Sequence, residues 1–145
     1  MYKHLLIATD GSELAGKALT RGIELAKSIG ARVTIVTVTE PFSASVPAEV
    51  AIVYPVEQYE LAAEQSASKI LSDASSVAAR EGVRCETAHV KDQFAAEGIV
   101  ATAQNSGCDL IVMASHGRRG FMRLMLGSQA HRVVTQSTVS VLICR

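Results

Sequence analysis

The sequence predicts an α/β fold, an open sheet of five parallel strands with helices on both faces. Short apolar runs alternate along the chain with longer segments of helical spacing, an order typical of parallel sheets with crossover helices. Hydrophobic residues make up 48% of the sequence but aromatic residues only 4%, so Ala, Val, Ile and Leu must fill the core. The 145 residues show no repeat or linker, which predicts a single domain over residues 1–145.

The first two strands flank a well-marked helix. The apolar run His4–Thr9 ends at Asp10-Gly11 and predicts a buried strand followed by a turn. Ser12 is suited to cap the next helix, and Gly30 to end it. Val33–Val38 is β-branched throughout, which predicts the second strand.

The middle of the chain contains the one long segment without a clear period. Glu40–Pro55 holds all three prolines, which predicts an irregular loop of the kind that often carries function. Val56–Glu81 is rich in Ala, Ser and Glu and is predicted to be a helix closed by Gly82. Arg84–Val90 is the third predicted strand.

The last part of the chain repeats the alternation. Asp92 is expected to cap a helix that runs to about Asn105. Leu110–Ala114 is a fully apolar fourth strand, a helix is predicted from Gly127 to about Gln136, and Val139–Cys144 is the fifth strand. Ligands of such sheets bind at the carboxyl ends of the strands, where Asp10, Val38 and Met113-Ala114 would converge.

Composition excludes several classes of function. The 14 basic and 14 acidic residues give a net charge of zero, which argues against a general nucleic-acid binder. No apolar run reaches the roughly 18 residues of a membrane span, and the first residues lack the pattern of a signal peptide. We therefore expect a cytoplasmic protein with neither a membrane nor a nucleic-acid partner.

Neither the cysteines nor the histidines predict a metal or redox site. Cys85, Cys108 and Cys144 include no CxxC pair and lie in or beside apolar runs, so we expect inert thiols in a reducing compartment. The four histidines show no metal-ligand spacing with each other or with cysteine. No general base for hydrolysis emerges either, because Ser115 and His116 are merely neighbours in the sequence.

The segment after the first strand nearly matches a P-loop. Gly11–Lys17 (GSELAGK) follows a strand and precedes a helical pattern, as the P-loop mechanism requires. However, Ala18 stands where a hydroxyl should hold magnesium, and helical spacing continues straight through the segment. A helix start is therefore the better interpretation, and no GxGxxG motif indicates a dinucleotide site.

Ala114–Ser128 (ASHGRRGFMRLMLGS) is the stronger candidate for a phosphate site. Glycines at 117, 120 and 127 let backbone amides approach an oxyanion, and Gly127-Ser128 opens a helix whose amino end favours phosphate. Positive charge is supplied by Arg118, Arg119 and Arg123. The alternative is an ordinary flexible loop followed by a serine cap.

These segments resemble the universal stress protein family. The resemblance rests on TDGSE after the first strand, VMASHGRRG after the fourth and LGSQAHRVV at the last helix, and it extends over the whole chain. It implies a Rossmann-like fold of the adenine nucleotide alpha hydrolase type. The nucleotide signature of the family is Gly, two residues, Gly, nine residues, then Gly and Ser or Thr. Here Gly117 and Gly127-Ser128 match, and Ala114 replaces the first glycine.

The resemblance implies that the protein binds ATP as a stress-response or regulatory module. Asp10 and Val38 would face the adenine and ribose, and His116 and Gly117 would lie along the phosphates. A magnesium or manganese ion would be held through those phosphates. The full set of expected ligand-binding residues is Ala8, Thr9, Asp10, Val38, Met113, Ala114, His116, Gly117, Arg118, Gly127, Ser128 and Gln129.

Simpler roles stay open for several of these residues. Asp10 is also suited to a turn, Val38 and Met113 to the core, His116 to a solvated loop and Ser128 to a helix cap. Because Ala114 departs from the signature, a stress protein of the same fold without nucleotide binding is one alternative function. A slow ATPase is the other.

The last strand carries the expected oligomer contact. An apolar edge strand requires a partner or a cover, and the resemblance implies a homodimer in which these strands pair antiparallel through Val139, Val141 and Ile143. The alternative is burial of this strand within the monomer.

Overall fold

The computed structural model describes residues 1–118 and 125–145, and its strands form one parallel sheet. The strands are β1 His4–Ala8, β2 Arg32–Thr39, β3 Cys85–Lys91, β4 Leu110–Ala114 and β5 Ser140–Cys144. The helices are α1 Glu13–Ile29, α2 Phe42–Ser45, α3 Ala48–Ala51, α4 Val56–Arg80, α5 Ala95–Asn105 and α6 Ser128–Gln136. The predicted α/β fold class is confirmed.

The strand order is β3-β2-β1-β4-β5. From β1 the chain winds to one edge of the sheet through β2 and β3, and then returns to fill the other side with β4 and β5. The order therefore reverses between β1 and β4. A crevice opens outside the carboxyl ends of the strands at such a switch point.

Two core clusters cover the two faces of the sheet. On one face, Leu5, Ile7 and Val112 pack with residues of α1 and α4, and on the other face Leu6 and Ile111 pack with residues of α5 and α6. Successive strand residues point to opposite faces, so β1 and β4 contribute to both clusters. Both strands are buried along their whole length, as the apolar runs predict.

Helix α1 begins and ends at the predicted residues. The Ser12 side chain accepts a hydrogen bond from the Ala15 N–H, and Gly30 ends the helix in the left-handed conformation, with φ of 69°. Gly16 and Lys17 lie inside this helix. The P-loop interpretation is therefore excluded, because no loop is present to surround a phosphate.

The Glu40–Pro55 segment is less irregular than expected. It contains the short helices α2 and α3, which follow Pro41 and Pro47, and Pro55 precedes α4 in the same way. A proline fits the start of a helix because its fixed φ is suitable and its missing N–H would have no partner there. The three prolines mark helix starts, and the prediction of an irregular loop was wrong for these two turns.

Two predicted helix caps are also corrected. Asp92 has a φ of 56°, and α5 begins only at Ala95 with Phe94 in the capping position, so Asp92 ends β3 instead. Asp tolerates this left-handed conformation better than most residues. Ser128 is the first helical residue of α6, and the capping position belongs to Gly127.

Candidate functional site

A cavity of about 510 Å³ lies at the carboxyl ends of β1, β2 and β4, at the switch in strand order. Its volume is within the usual range for sites of small molecules and cofactors. All twelve residues predicted from the sequence line it. They are Ala8, Thr9, Asp10, Val38, Met113, Ala114, His116, Gly117, Arg118, Gly127, Ser128 and Gln129.

One part of the cavity is apolar. Ala8, Val36 and Val38 line it from the ends of β1 and β2, Met113 from β4, and Ile99 from α5. All five pack within or against the core cluster under α5 and α6. Their core role and their place at the cavity are therefore compatible.

Asp10 joins the two loops that border the cavity. Its Oδ1 accepts the Ser12 N–H at 2.9 Å, which is the predicted turn, and its Oδ2 accepts the Arg118 N–H at 2.9 Å. A Cβ atom at Gly117 would lie 2.7 Å from Oδ2, so a side chain there would break this connection. The carboxylate fixes the loop after β4 against the loop after β1.

The amino end of α6 presents backbone donors to the cavity that have no partner among residues 1–118 and 125–145. The first N–H group of α6 that donates a hydrogen bond within the helix is that of His131, which bonds to the Gly127 carbonyl at 2.9 Å. The capping residue, Gly127, has no side chain that could bond to the earlier N–H groups. The N–H groups of Ser128, Gln129 and Ala130 come earlier in the helix and have no partner within it. All three residues line the cavity. Such amides, with the positive end of the helix dipole, favour an anion.

The turn into α6 leaves no room for a side chain at Gly127. Its N–H donates to the Ser115 carbonyl at 2.9 Å, and a Cβ would lie 2.7 Å from that same oxygen. Ser115 is held from the other side, because its N–H donates to the Cys144 carbonyl at 2.8 Å. Its Oγ lies 3.1 Å from His116 Nδ1. The loop after β4 is thus connected to both α6 and the end of β5.

Gln129 has a second role that the sequence did not predict. Its Oε1 accepts the N–H of Ala96 at 3.0 Å, near the amino end of α5. This satisfies one of the amides that the start of a helix leaves without a partner. Gln129 therefore connects α6 to α5 as well as lining the cavity.

Ala114, which departs from the family signature, lies in regular strand. It pairs with Cys144 of β5 and is buried in the core cluster under α1 and α4. An L residue adopts strand conformation without strain. The position therefore makes no conformational demand for glycine.

The sequence indicated the Glu40–Pro55 segment, which contains α2, as one that often carries function, but it did not predict which residues of α2 and α4 line the cavity. Ser45, Tyr59, Ser66 and Ile70 line the cavity, and the Tyr59 hydroxyl donates to the Glu40 carbonyl at 2.7 Å and lies 2.9 Å from Ser45 Oγ. The four residues form no motif, so no local signal could identify them. The predicted arginines Arg119 and Arg123, and Gly120, lie outside the described residues.

Neither a metal centre nor a membrane span occurs within the described residues. No group of three His, Cys, Asp or Glu side chains there could hold a metal ion. Among the same residues, no helix is both long and apolar enough to cross a membrane.

Residues 1–145 match the model of the universal stress protein family. The chain is 36% identical over 149 residues to Universal stress protein YxiE of Bacillus subtilis (strain 168), with full coverage of both chains. Among solved structures, the protein MJ0577 superposes with a TM-score of 0.82 at 25% identity, over 99% of this chain and 96% of that one.

Two solved relatives contain adenine nucleotides. A universal stress protein in complex with cAMP gives a TM-score of 0.71 at 23% identity, over 99% of this chain and 97% of that one. The protein from Archaeoglobus fulgidus in complex with dAMP gives 0.70 at 22% identity, over 99% and 98%. At these identities the likeness shows a shared fold.

Proposed function

Since the chain belongs to the universal stress protein family, we propose that it acts as a stress-response module by binding an adenine nucleotide, with ATP as the expected ligand. The nucleotide would occupy the cavity at the carboxyl ends of the strands. The function would depend on the bound state and not on fast turnover.

The amino end of α6 carries this proposal. Three consecutive amides without a partner in the helix belong to residues of the cavity wall, at Ser128, Gln129 and Ala130. Unpaired backbone donors are costly to bury, and phosphate oxygens would satisfy them. Arg118, which also lines the cavity, adds a positive charge.

The apolar part of the cavity suits the base. Val38 and Met113 would contact the adenine ring, and the carboxylate of Asp10 would lie near the ribose. The solved relatives with cAMP and dAMP support an adenine nucleotide as the class of ligand. A divalent cation, magnesium or manganese, would be held through phosphate oxygens, since no group of three His, Cys, Asp or Glu side chains in the described residues could hold one.

Calorimetric titration with ATP tests the proposal. Purified protein should give a saturable heat and a rise in melting temperature, because a ligand that binds only the folded state stabilises it. Absence of both at millimolar ATP would contradict the proposal. Nucleotide that copurifies with the protein should also be visible by mass spectrometry.

The variant Ser128→Glu places a negative charge beside the free amides. We expect ATP affinity to fall at least about tenfold, or ~1.4 kcal/mol, with the fold intact because an acidic side chain suits the start of a helix. Gln136→Glu adds the same charge at the other end of α6 and should leave ATP binding unchanged. Gly127→Asp would be a poorer test, because any Cβ there meets the Ser115 carbonyl.

Ala114 favours a second candidate, a stress protein of this fold that does not bind nucleotide. The variant Ala114→Gly discriminates the two. If the methyl group blocks the site, ATP affinity should rise strongly in this variant. If the wild-type protein binds ATP and Ala114→Gly has nearly the same ATP affinity, the second candidate is contradicted.

Hydrolysis is a separate activity, and slow turnover would involve the loop after β4. His116 lines the cavity with its Nδ1 beside Ser115 Oγ. Phosphate release above background that His116→Ala abolishes would establish the activity. Release that persists in this variant would exclude a role for His116.

We also propose a cytoplasmic homodimer formed through β5. The strand pairs only with β4 in the described part of the chain, so its other edge is open to a second copy. Val139, Val141 and Ile143 are partly buried against the core, whereas Leu142 is exposed on the opposite face. Antiparallel pairing of two β5 strands would cover the open backbone groups.

A further inference from the structure

Exposed apolar side chains concentrate on the segment between α3 and the second turn of α4. The described residues expose twelve large apolar side chains, and six of them fall within residues 50–61. The most exposed of the six are Ile52 at 85%, Val53 at 79% and Leu61 at 60%. Single exposed apolar residues are common, but six within twelve consecutive positions are a concentration that calls for a partner.

The segment is anchored by other residues. Phe42 stacks on Tyr54 at 6.4 Å and meets the edge of Tyr59 at 5.4 Å, and Tyr59 bonds to the Glu40 carbonyl. The exposed side chains are therefore displayed on a structured support.

The same segment is acidic. Between Arg32 and Lys69 the sequence has no Lys or Arg, although the chain as a whole is neutral. Glu64 pairs with Lys91, whereas Glu49, Glu57 and Glu60 have no ion-pair partner within residues 1–118 and 125–145. Glu49 and Glu57 also lie in the first turns of α3 and α4, where a negative charge is favourable, but Glu60 lies beyond the first turn.

We propose that this surface docks a basic amphipathic helix of another protein. The docking face comprises the apolar side chains of Val50, Ile52, Val53, Val56 and Leu61 with the carboxylates of Glu49, Glu57 and Glu60. A partner helix would lay its apolar side on the first group and its Lys or Arg residues beside the second. Charge complementarity selects this occupant, because acidic side chains repel an anionic membrane.

A second copy of this chain fits the docking face less well. Helices α1, α5 and α6 bury apolar residues against the sheet. The large apolar residues that these helices leave exposed are isolated, Ile29 on α1 and Val134 on α6, so none of the three helices offers an apolar side together with basic residues. The docking face is also separate from the nucleotide cavity, since none of its eight residues lines that cavity.

Fluorescence anisotropy with a defined peptide tests the proposal. The probe is a labelled 18-residue helix of Leu and Lys with Leu at helical spacing. Wild type should bind it saturably, and Ile52→Ser/Leu61→Ser should raise the Kd at least tenfold. Glu57→Lys/Glu60→Lys should weaken binding by a similar factor, because it repels the lysines.

Matched controls remove equivalent side chains elsewhere. Ile29→Ser/Val134→Ser deletes two apolar residues of comparable type from α1 and α6, exposed by 42% and 45%, and should leave the Kd within twofold of wild type. Melting temperatures of all variants should stay close to wild type, because the substituted residues are exposed.

Several results would overturn the assignment. Binding of a Leu/Lys peptide with scrambled spacing, or of a Leu/Glu helix, as tightly as the probe would show that the face does not recognise a basic amphipathic helix. Equal loss of binding in the Ile29→Ser/Val134→Ser control would show that peptide binding does not depend on the docking face. A wild-type oligomer that Ile52→Ser/Leu61→Ser dissociates would identify a second copy as the occupant, and recruitment to phosphatidylserine vesicles would identify a membrane.

Discussion

Asp10 connects the two loops that border the cavity. Its two oxygens connect loops that are more than a hundred positions apart in the sequence, through Ser12 and Arg118. The sequence predicted the first bond, because Asp before Gly is a turn signal. The second bond could not be predicted, since it depends on how β1 and β4 lie side by side.

Replacing Asp10 should affect both stability and binding. Asp10→Ala removes two bonds to a charged acceptor, so we expect a loss of about 2 kcal/mol in the free energy of unfolding and weaker ATP binding. Ser12→Ala is the control, because it removes the cap of α1 for about 1 kcal/mol without touching the loop after β4. Denaturant unfolding and calorimetry measure the two effects. Equal ATP affinity in Asp10→Ala and wild type would contradict the assigned role.

The thiols should differ in reactivity. Burial raises the pKa of Cys108 to about 11, and burial also raises the pKa of the half-buried Cys85. Because the thiolate is the reactive form, Cys108 should resist a disulfide reagent in the native protein until it unfolds. Cys85 should react before it, although slowly. Mass spectrometry of partly labelled protein checks the order, and equal labelling of Cys85 and Cys108 would refute it.

His4 should make the fold sensitive to acid. Burial, with the nearby charge of Arg32, lowers the pKa of His4 below its ordinary value of 6.5. The unfolded chain then takes up a proton more readily than the folded one as the pH falls below 6.5, so the free energy of unfolding should decrease there and stay level above it. His89, whose pKa burial also lowers, acts in the same direction.

The variant His4→Gln isolates the contribution of His4. An amide can keep a bond to Thr34, which lies 2.8 Å from the histidine Nε2, but it does not titrate. Urea unfolding at several values across roughly pH 5 to 8 should show a shallower decrease in this variant than in wild type. An unchanged pH profile would contradict the prediction.

At the scale of elements, glycines within α1 have opposite environments. A Cβ at Gly16 would meet no described atom within 4 Å apart from its chain neighbours and its own helix backbone, whereas a Cβ at Gly22 would lie 2.7 Å from Ile7 Cδ1 and 3.3 Å from Val112 Cγ1. The helix pattern alone does not distinguish the two positions. The difference comes from the sheet, which Gly22 faces and Gly16 does not.

Alanine substitutions at these two glycines should therefore change the stability of the protein in opposite directions. Gly16→Ala should stabilise the protein by roughly 0.5–1 kcal/mol, because alanine is the better helix former. Gly22→Ala has the same intrinsic gain but forces Ile7 to move in a close-packed core, and we expect a net loss of about 1–2 kcal/mol. Thermal unfolding of the two variants gives the comparison. A stabilised Gly22→Ala protein would show that the core can adjust at no cost.

The three prolines are where the prediction of secondary structure from the sequence was wrong. Three prolines without a period predicted a loop, yet each of Pro41, Pro47 and Pro55 immediately precedes a helix. A proline stops an existing helix and suits the start of a new one, so its effect depends on the residues after it. Two four-residue helices are too short to produce a periodic pattern that would resolve this.

At the scale of the whole molecule, the fold could be predicted from the sequence, and so could the cavity residues at the strand ends and at the start of α6. Apolar strands and capped helices in alternation define the sheet, and strand ends such as Asp10 and Met113 converge because parallel strands end at one edge. Tyr59 and Ile70 could not be predicted as cavity residues. Their place depends on the angle at which α4 crosses the sheet, which packing determines and local sequence does not.

The homodimer can be tested at the open edge of the sheet. Leu142→Lys places one positive charge from each copy in the twofold β5 contact, and the two charges repel. We therefore expect this variant to be a monomer when its mass is measured by light scattering after gel filtration. Val134→Lys adds the same charge on α6 and should remain dimeric. If the wild-type protein is a monomer at all accessible concentrations, the proposed pairing of two β5 strands is contradicted.

The bond from the Ser115 N–H to the Cys144 carbonyl has a practical consequence for anyone who handles this protein. Whatever is joined to the chain after Arg145 starts next to the loop that borders the cavity, whereas an addition before Met1 lies at the amino ends of the strands, on the side of the sheet away from the cavity. A purification tag at the carboxyl end is therefore expected to alter ligand affinity. At that same position, an environment-sensitive dye would report cavity occupancy.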